Sequence, residues 1–158
     1  MSSKLQIHWF RNDLRVADNP ALHAALAAGH VLPVFVLDDA DEVTPKIGSA
    51  SKWWLHQALQ SLNLSLGNRL FFCRGDSKEI VPRLAEQYGV QTVFWNRCYE
   101  PHCANIDRVV EEKLGRFGGA AKSFNGSLLW EPWEVVKRDG EPYKVFTPFF
   151  RRGCLSHS

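Results

Sequence analysis

No run of the chain approaches the roughly 20 consecutive apolar residues that a membrane-spanning helix requires, so no membrane segment is expected. A charged and apolar leader is also absent, because Met1 to Lys4 passes directly into a strand-like segment. Neither GxGxxG nor GxxxxGK followed by Ser or Thr occurs, which removes the two common glycine-rich phosphate cradles. There is no HExxH and no evident Ser, His and Asp arrangement, and the six histidines are scattered, so nothing points to hydrolysis. Charge of one sign is scarce: the formal net charge is +2, with Lys and Arg spread along the chain, which predicts no phosphate-backbone binding by this piece alone. Cysteine is sparse and irregularly placed, at positions 73, 98, 103 and 154, which favours reduced thiols over a disulfide framework. Cys98, His102 and Cys103 match no established ligand spacing, so no metal is expected. These absences describe a cytoplasmic protein.

What is present is an ordinary globular composition, 45% hydrophobic and 23% charged over 158 residues. A chain of this length buries roughly 70% of its unfolded surface, enough for one packed core. Leu5, Ile7 and Trp9 alternate with Gln6 and His8 as a strand, and Asn19 with Pro20 forms a cap and first-turn pair for a helix ending near Gly29. Val31 to Leu37 is an apolar run of strand length, followed by Leu55, Leu59, Leu62 and Leu66 at helical spacing. Arg69 to Cys73 reads as a third strand, and Asp76 with Glu79 as a capping box before a face of Ile80, Val81, Leu84, Ala85 and Tyr88. Gln91 to Trp95 is a fourth strand, Ile106, Val109, Val110, Leu114 and Phe117 mark a helix, and Ala120 to Phe124 is a fifth strand. The alternation predicts a doubly wound α/β unit, a five-stranded parallel sheet with helices on both faces. Beyond residue 125 the rhythm stops: Pro132, Pro142 and Pro148 stand among glycines and aromatics, so 1–125 reads as the domain core and 126–158 as an irregular exit segment.

Ligands of open α/β sheets bind beyond the carboxyl ends of the strands. That edge is expected to carry Phe10, Arg11 and Asp13, then Asp38 and Asp39, Gly75 and Asp76, and Asn96 to Glu100, with Ser51 and Lys52 facing it from the second helix. Plainer roles compete for the same residues. Arg11 and Asp13 can pair with Arg15 and Asp18 to hold the first loop, Trp53 and Trp54 can be core and rim aromatics, Cys98 and Cys103 can be small buried apolar groups, and Lys52 and Glu100 can be solvated charges.

Trp9 to Leu22 spells WFRNDLRxxDNxAL, and FVLD at 35–38, ASKWWL at 50–55 and YKVFTPF at 143–149 follow in order. This series resembles the N-terminal domain of the DNA photolyase and cryptochrome family. The resemblance implies a Rossmann-like antenna domain that holds a light-collecting pigment, with FAD, the catalytic chemistry and the grip on damaged DNA in a separate helical domain beyond this chain. Carried over by position, the pigment site comprises Phe10, Arg11, Asp13, Phe35, Leu37, Asp38, Ser51, Lys52, Leu55 and Glu100. His102 and Cys103 stand where folate-type members carry an Asn and Glu pair, while Tyr99, Glu100 and Pro101 suit the deazaflavin pattern, so deazaflavin is favoured over folate or flavin mononucleotide. A tryptophan expected near Phe150 is missing. The implied parent is a light-driven deoxyribodipyrimidine photolyase, with a cryptochrome light receptor as the alternative and a free-standing nucleotide-binding module as a third reading. The isolated chain is expected to be inactive, to need the FAD domain as its partner, and to self-associate through the apolar exit segment.

Overall fold

A computed structural model describes residues 4–39 and 47–156; Met1 to Ser3, read above as the lead into the first strand, lie outside them. The chain alternates β1 (Leu5–Phe10), α1 (Pro20–Ala28), β2 (His30–Leu37), α2 (Ser49–Ser65), β3 (Phe71–Arg74), α3 (Ser77–Gln87), β4 (Thr92–Asn96), α4 (Pro101–Arg116) and β5 (Ala120–Phe124). The five strands form one parallel sheet in the order β3-β2-β1-β4-β5. The first three strands therefore step outward in one direction from β1, and the chain then returns to place β4 on its other side.

Period-two alternation along β1 divides the core. Ile7 and Trp9 join Val34, Val36, Val93 and Trp95 beneath α3 and α4, which contribute Ile80, Val81, Leu84, Ala85, Val110 and Leu114. Phe10 points the other way, into a cluster with Leu22, Phe35, Leu62 and Leu70 that Leu55, Leu59 and Leu66 of the α2 stripe flank. His8 lies on this second face, fully buried, with its ring edge-on to Phe10 at 4.3 Å and neither ring nitrogen hydrogen-bonded.

Local sequence explains the helix starts. Asn19 caps α1 by accepting from the Leu22 amide, and Pro20 fills the first turn, where its missing N–H costs no helical bond. Asp76 caps α3 through the Lys78 amide. The reciprocal half of the expected capping box does not form, because the Glu79 carboxylate turns outward to the Lys113 ammonium of α4. Tyr88 and Phe117, expected on buried helical faces, each fall one residue past the helix end and are largely exposed. Trp53 and Trp54 are also exposed rather than core, since α2 turns its leucines, not its tryptophans, toward the sheet.

Two compact units divide the chain at residue 126. The second, 127–158, contains no strand among its described residues. Within it, Lys137 and Glu141 bracket a turn at Gly140, whose φ of 82° is the left-handed conformation that glycine tolerates. Phe146–Pro148 form a short helical turn continued by a wider turn over Phe149–Gly153 and a tighter one over Cys154–Ser156. Tyr143 meets Phe149 edge-on, Phe146 stacks on Phe150, and Gly153 lies so close to Val135 and Tyr143 that a side chain there would collide.

Candidate functional site

The sheet order reverses between β1 and β4, and at such a switch point the two loops leaving the carboxyl ends diverge and open a crevice. In this chain the base of that crevice is filled by a polar network. Arg11 leaves β1 and donates to both Asp107 carboxylate oxygens, at 2.6 and 3.2 Å, and to the Asn96 carbonyl at 2.6 Å. Its guanidinium lies 4.8 Å from the centre of the Trp9 ring, and the Trp95 indole N–H donates to Asp107 at 2.9 Å. Beside it the Asn96 side-chain amide donates to Asp13 and to Asn19 while its oxygen accepts from the Ala21 amide. One buried asparagine thus ties the end of β4 to the start of α1.

The ten residues proposed for the pigment occupy three kinds of place. Arg11 and Asp13 belong to this network and are half-buried. The pairing of Arg11 and Asp13 with Arg15 and Asp18 is only partly realised. Arg11 turns to Asp107 and Asp13 to Asn96, while Arg15 stands 4.0 Å from Asp18 and donates to the Asp18 and Gly126 carbonyls. Phe10 and Phe35 are core side chains, 0% and 6% exposed, with the half-buried Leu37 and Leu55 packed against their cluster. Asp38 follows β2 and accepts from the Ser77 amide and hydroxyl, fixing the start of α3. Ser51, Lys52 and Glu100 are exposed. Because the strands are parallel, the residues following β1, β2 and β4 all stand at one edge, so Arg11, Asp38 and Glu100 share it.

The sequence reading omitted Asp107. Its signal was present, because an acidic residue falls among Cys103, Val110 and Leu114 at helical spacing on the inward stripe of α4, where an unpaired charge would be costly.

On the same edge, the β4–α4 turn brings Cys98, Glu100 and Cys103 together, with their ligand atoms within 4.8 Å of one another. All four cysteines are free thiols. Burial raises the Cys98 and Cys103 thiols above the usual range, Cys103 to about 12, and each is raised further by the negative charge of Glu100. Among the described residues no helix is long and apolar enough to cross a membrane.

Comparison with known proteins places this geometry. Residues 6–158 match the DNA photolyase family. The chain is 41% identical over 149 residues to a deoxyribodipyrimidine photo-lyase of Agrobacterium fabrum, covering 92% of this chain and 30% of the relative. It is 40% identical over 159 residues to Cryptochrome-1 of Arabidopsis thaliana, covering 98% and 23% respectively. The crystal structure of a class III photolyase from Agrobacterium tumefaciens superposes with a TM-score of 0.88 at 38% identity, covering all of this chain and 33% of that one. The chain thus spans about a third or less of these relatives. Matched from its first strand to its last residue, with its fold shared throughout, the chain belongs to the DNA photolyase family.

Proposed function

We propose that this chain is the light-collecting domain of a light-driven deoxyribodipyrimidine photolyase, and that it holds a flat, partly anionic pigment at the carboxyl edge of its sheet. The observation that carries the reading is the family match over residues 6–158. The placement of the opening signature supports it: Arg11, Asp13 and Asn19 of WFRNDLRxxDN are spent on shaping the switch-point crevice rather than on a packed core. When bound, the pigment absorbs light and passes excitation to FAD. The chain's own residues supply the seat. Leu37 and Leu55 offer apolar contact above Phe10 and Phe35, Lys52 and Ser51 offer donors from the start of α2, and Glu100 offers an acceptor from the β4–α4 turn. Deazaflavin fits this reading better than folate or flavin mononucleotide, because His102 and Cys103 replace the Asn and Glu pair of folate-type members.

FAD, damaged DNA and dimer cleavage belong, in this proposal, to a helical domain outside these 158 residues. Cleavage needs an excited reduced flavin beside the dimer, and this chain has only a modest positive charge to grip a duplex. Titration of the chain with a deazaflavin, a folate and flavin mononucleotide is expected to give saturable quenching with the first. Absence of quenching by all three would reject the pigment seat. Illumination with dimer-containing DNA and excess reduced FAD is expected to repair no more dimers than flavin alone.

The near-equal identity to Cryptochrome-1 favours one second reading, a light receptor of the same architecture. Dimer repair by the full-length protein that carries this domain separates the two.

A further inference from the structure

The turn from β4 into α4 is held from both sides. The Asn96 amide is fixed to Asp13 and Asn19, its carbonyl accepts from Arg11, and the Arg97 amide donates to the Phe124 carbonyl at 2.8 Å while its guanidinium donates to Ser123. Pro101 then starts α4, and the Ala104 amide closes its first turn on the Glu100 carbonyl. Between these anchors the chain reverses, so that Cys98 before the helix and Cys103 in its first turn come side by side with the Glu100 carboxylate between them in sequence. The spacing alone, Cys-x4-Cys, gives no indication of this; the anchored turn creates it.

Three groups that are all anionic when deprotonated are thereby held within 4.8 Å of one another. A tetrahedral zinc ion with Zn–S near 2.3 Å and Zn–O near 2.0–2.2 Å sets its ligand atoms roughly 3.5–3.8 Å apart, a spacing this cluster reaches with small side-chain rotations. The softness of two sulfurs selects zinc-class ions over magnesium or calcium. Arg11, the nearby cation, is already neutralised by Asp107 at 2.6 Å and does not by itself satisfy the cluster. The His102 Nε2 lies 3.3 Å from the Cys103 sulfur.

We propose that Cys98, Glu100 and Cys103 form a binding site for a zinc-class divalent cation, with the fourth position open to water. The site shares Glu100 with the proposed pigment seat and adds two thiols that the seat does not use. A zinc-class ion takes cysteine as the thiolate, so binding displaces a proton from each sulfur and tightens as pH rises.

The test is titration of the intact chain, kept reduced by a phosphine, with cobalt(II). A thiolate-to-cobalt charge-transfer band in the near ultraviolet is expected, saturating at one ion per chain and abolished by competing zinc. Cys98→Ser and Cys103→Ser should each remove it, while Cys73→Ser should retain it. Should the variants fold poorly, alkylation of the unmodified chain provides a second measure: zinc should protect Cys98 and Cys103 and leave Cys73 reactive. The proposal is overturned by the absence of a band, by a band that survives Cys98→Ser with Cys103→Ser, or by equal alkylation with and without zinc.

Discussion

Arg11 and Asp107 lie 96 positions apart in sequence and meet as a two-pronged ion pair whose side chains are only 10% and 14% exposed. Removing one partner of such a pair leaves the other charged and poorly solvated. Asp107→Ala should therefore destabilise the fold by about 3–5 kcal/mol, a cost that includes the stranded Trp95 indole N–H. Urea unfolding measures it. A loss below about 1 kcal/mol would mean that water reaches Arg11 freely and that the crevice is more open than its burial indicates.

Acid should weaken the fold through His8. Burial without a hydrogen-bond partner pulls its imidazole from the ordinary 6.5 down to about 4, against the opposing pull of Asp13. The unfolded chain then binds the proton more readily than the folded one between those two values. Stability is full above pH 6.5, falls as pH drops toward 4, and has lost about 3 kcal/mol at the lower end, taking about 1.4 kcal/mol per unit. His8→Leu, which cannot take up a proton, should flatten this part of the stability profile. An unchanged slope in the variant would assign the acid sensitivity elsewhere.

Gly126→Ala should also be destabilising, by about 1–3 kcal/mol. A β-carbon at this position would stand 2.5 Å from the Asn96 side-chain carbon, and Asn96 cannot retreat without releasing Asp13, Asn19 or Ala21. Thermal unfolding of the variant checks this. A neutral result would show that the Asn96 network tolerates displacement.

The aromatic residues of 127–158 should promote self-association. Trp133, Val145, Phe146 and Phe150 are 61%, 63%, 73% and 45% exposed, more apolar surface in one short segment than a soluble monomer usually shows. Sedimentation over a range of concentrations is expected to reveal oligomers that Val145→Asp with Phe146→Asp disperses. A chain that sediments as a monomer throughout would contradict this.

Strands and helices were legible wherever their patterns were local. The alternation at Leu5 to Trp9, the Asn19–Pro20 start and the leucine stripe from Leu55 each state an element within a dozen residues, and each element formed. Helix ends were harder to read, because Tyr88 and Phe117 keep the apolar period one residue beyond the point where the backbone leaves the helix. The sheet edge was legible through the parallel topology, which gathers Arg11, Asp38 and Glu100 without any knowledge of distances. Partner choice was not. Nothing near Arg11 in the sequence distinguishes Asp18, the neighbour, from Asp107, the residue that a helix seven elements later brings beside it. The meeting of Cys98 with Cys103 was hidden for a related reason, since it depends on a turn pinned by Ser123 and Phe124 of the next strand.

The position of β1 at the centre of the sheet bears on synthesis. Its partners on one side, β2, emerge from the ribosome almost at once, whereas Val93 of β4, which pairs with Ile7, arrives 86 positions later (93 − 7). At about 5–20 residues per second the delay is roughly 4–17 s, during which one edge of β1 is unpaired and Arg11, Asp13 and Trp9 wait for Asp107, Asn96 and Trp95. The nascent chain should therefore be most vulnerable to proteases and most dependent on chaperones until α4 clears the exit tunnel. Limited proteolysis of ribosome-arrested chains is expected to show protection of β1 only in those long enough to carry residue 116 out of the exit tunnel.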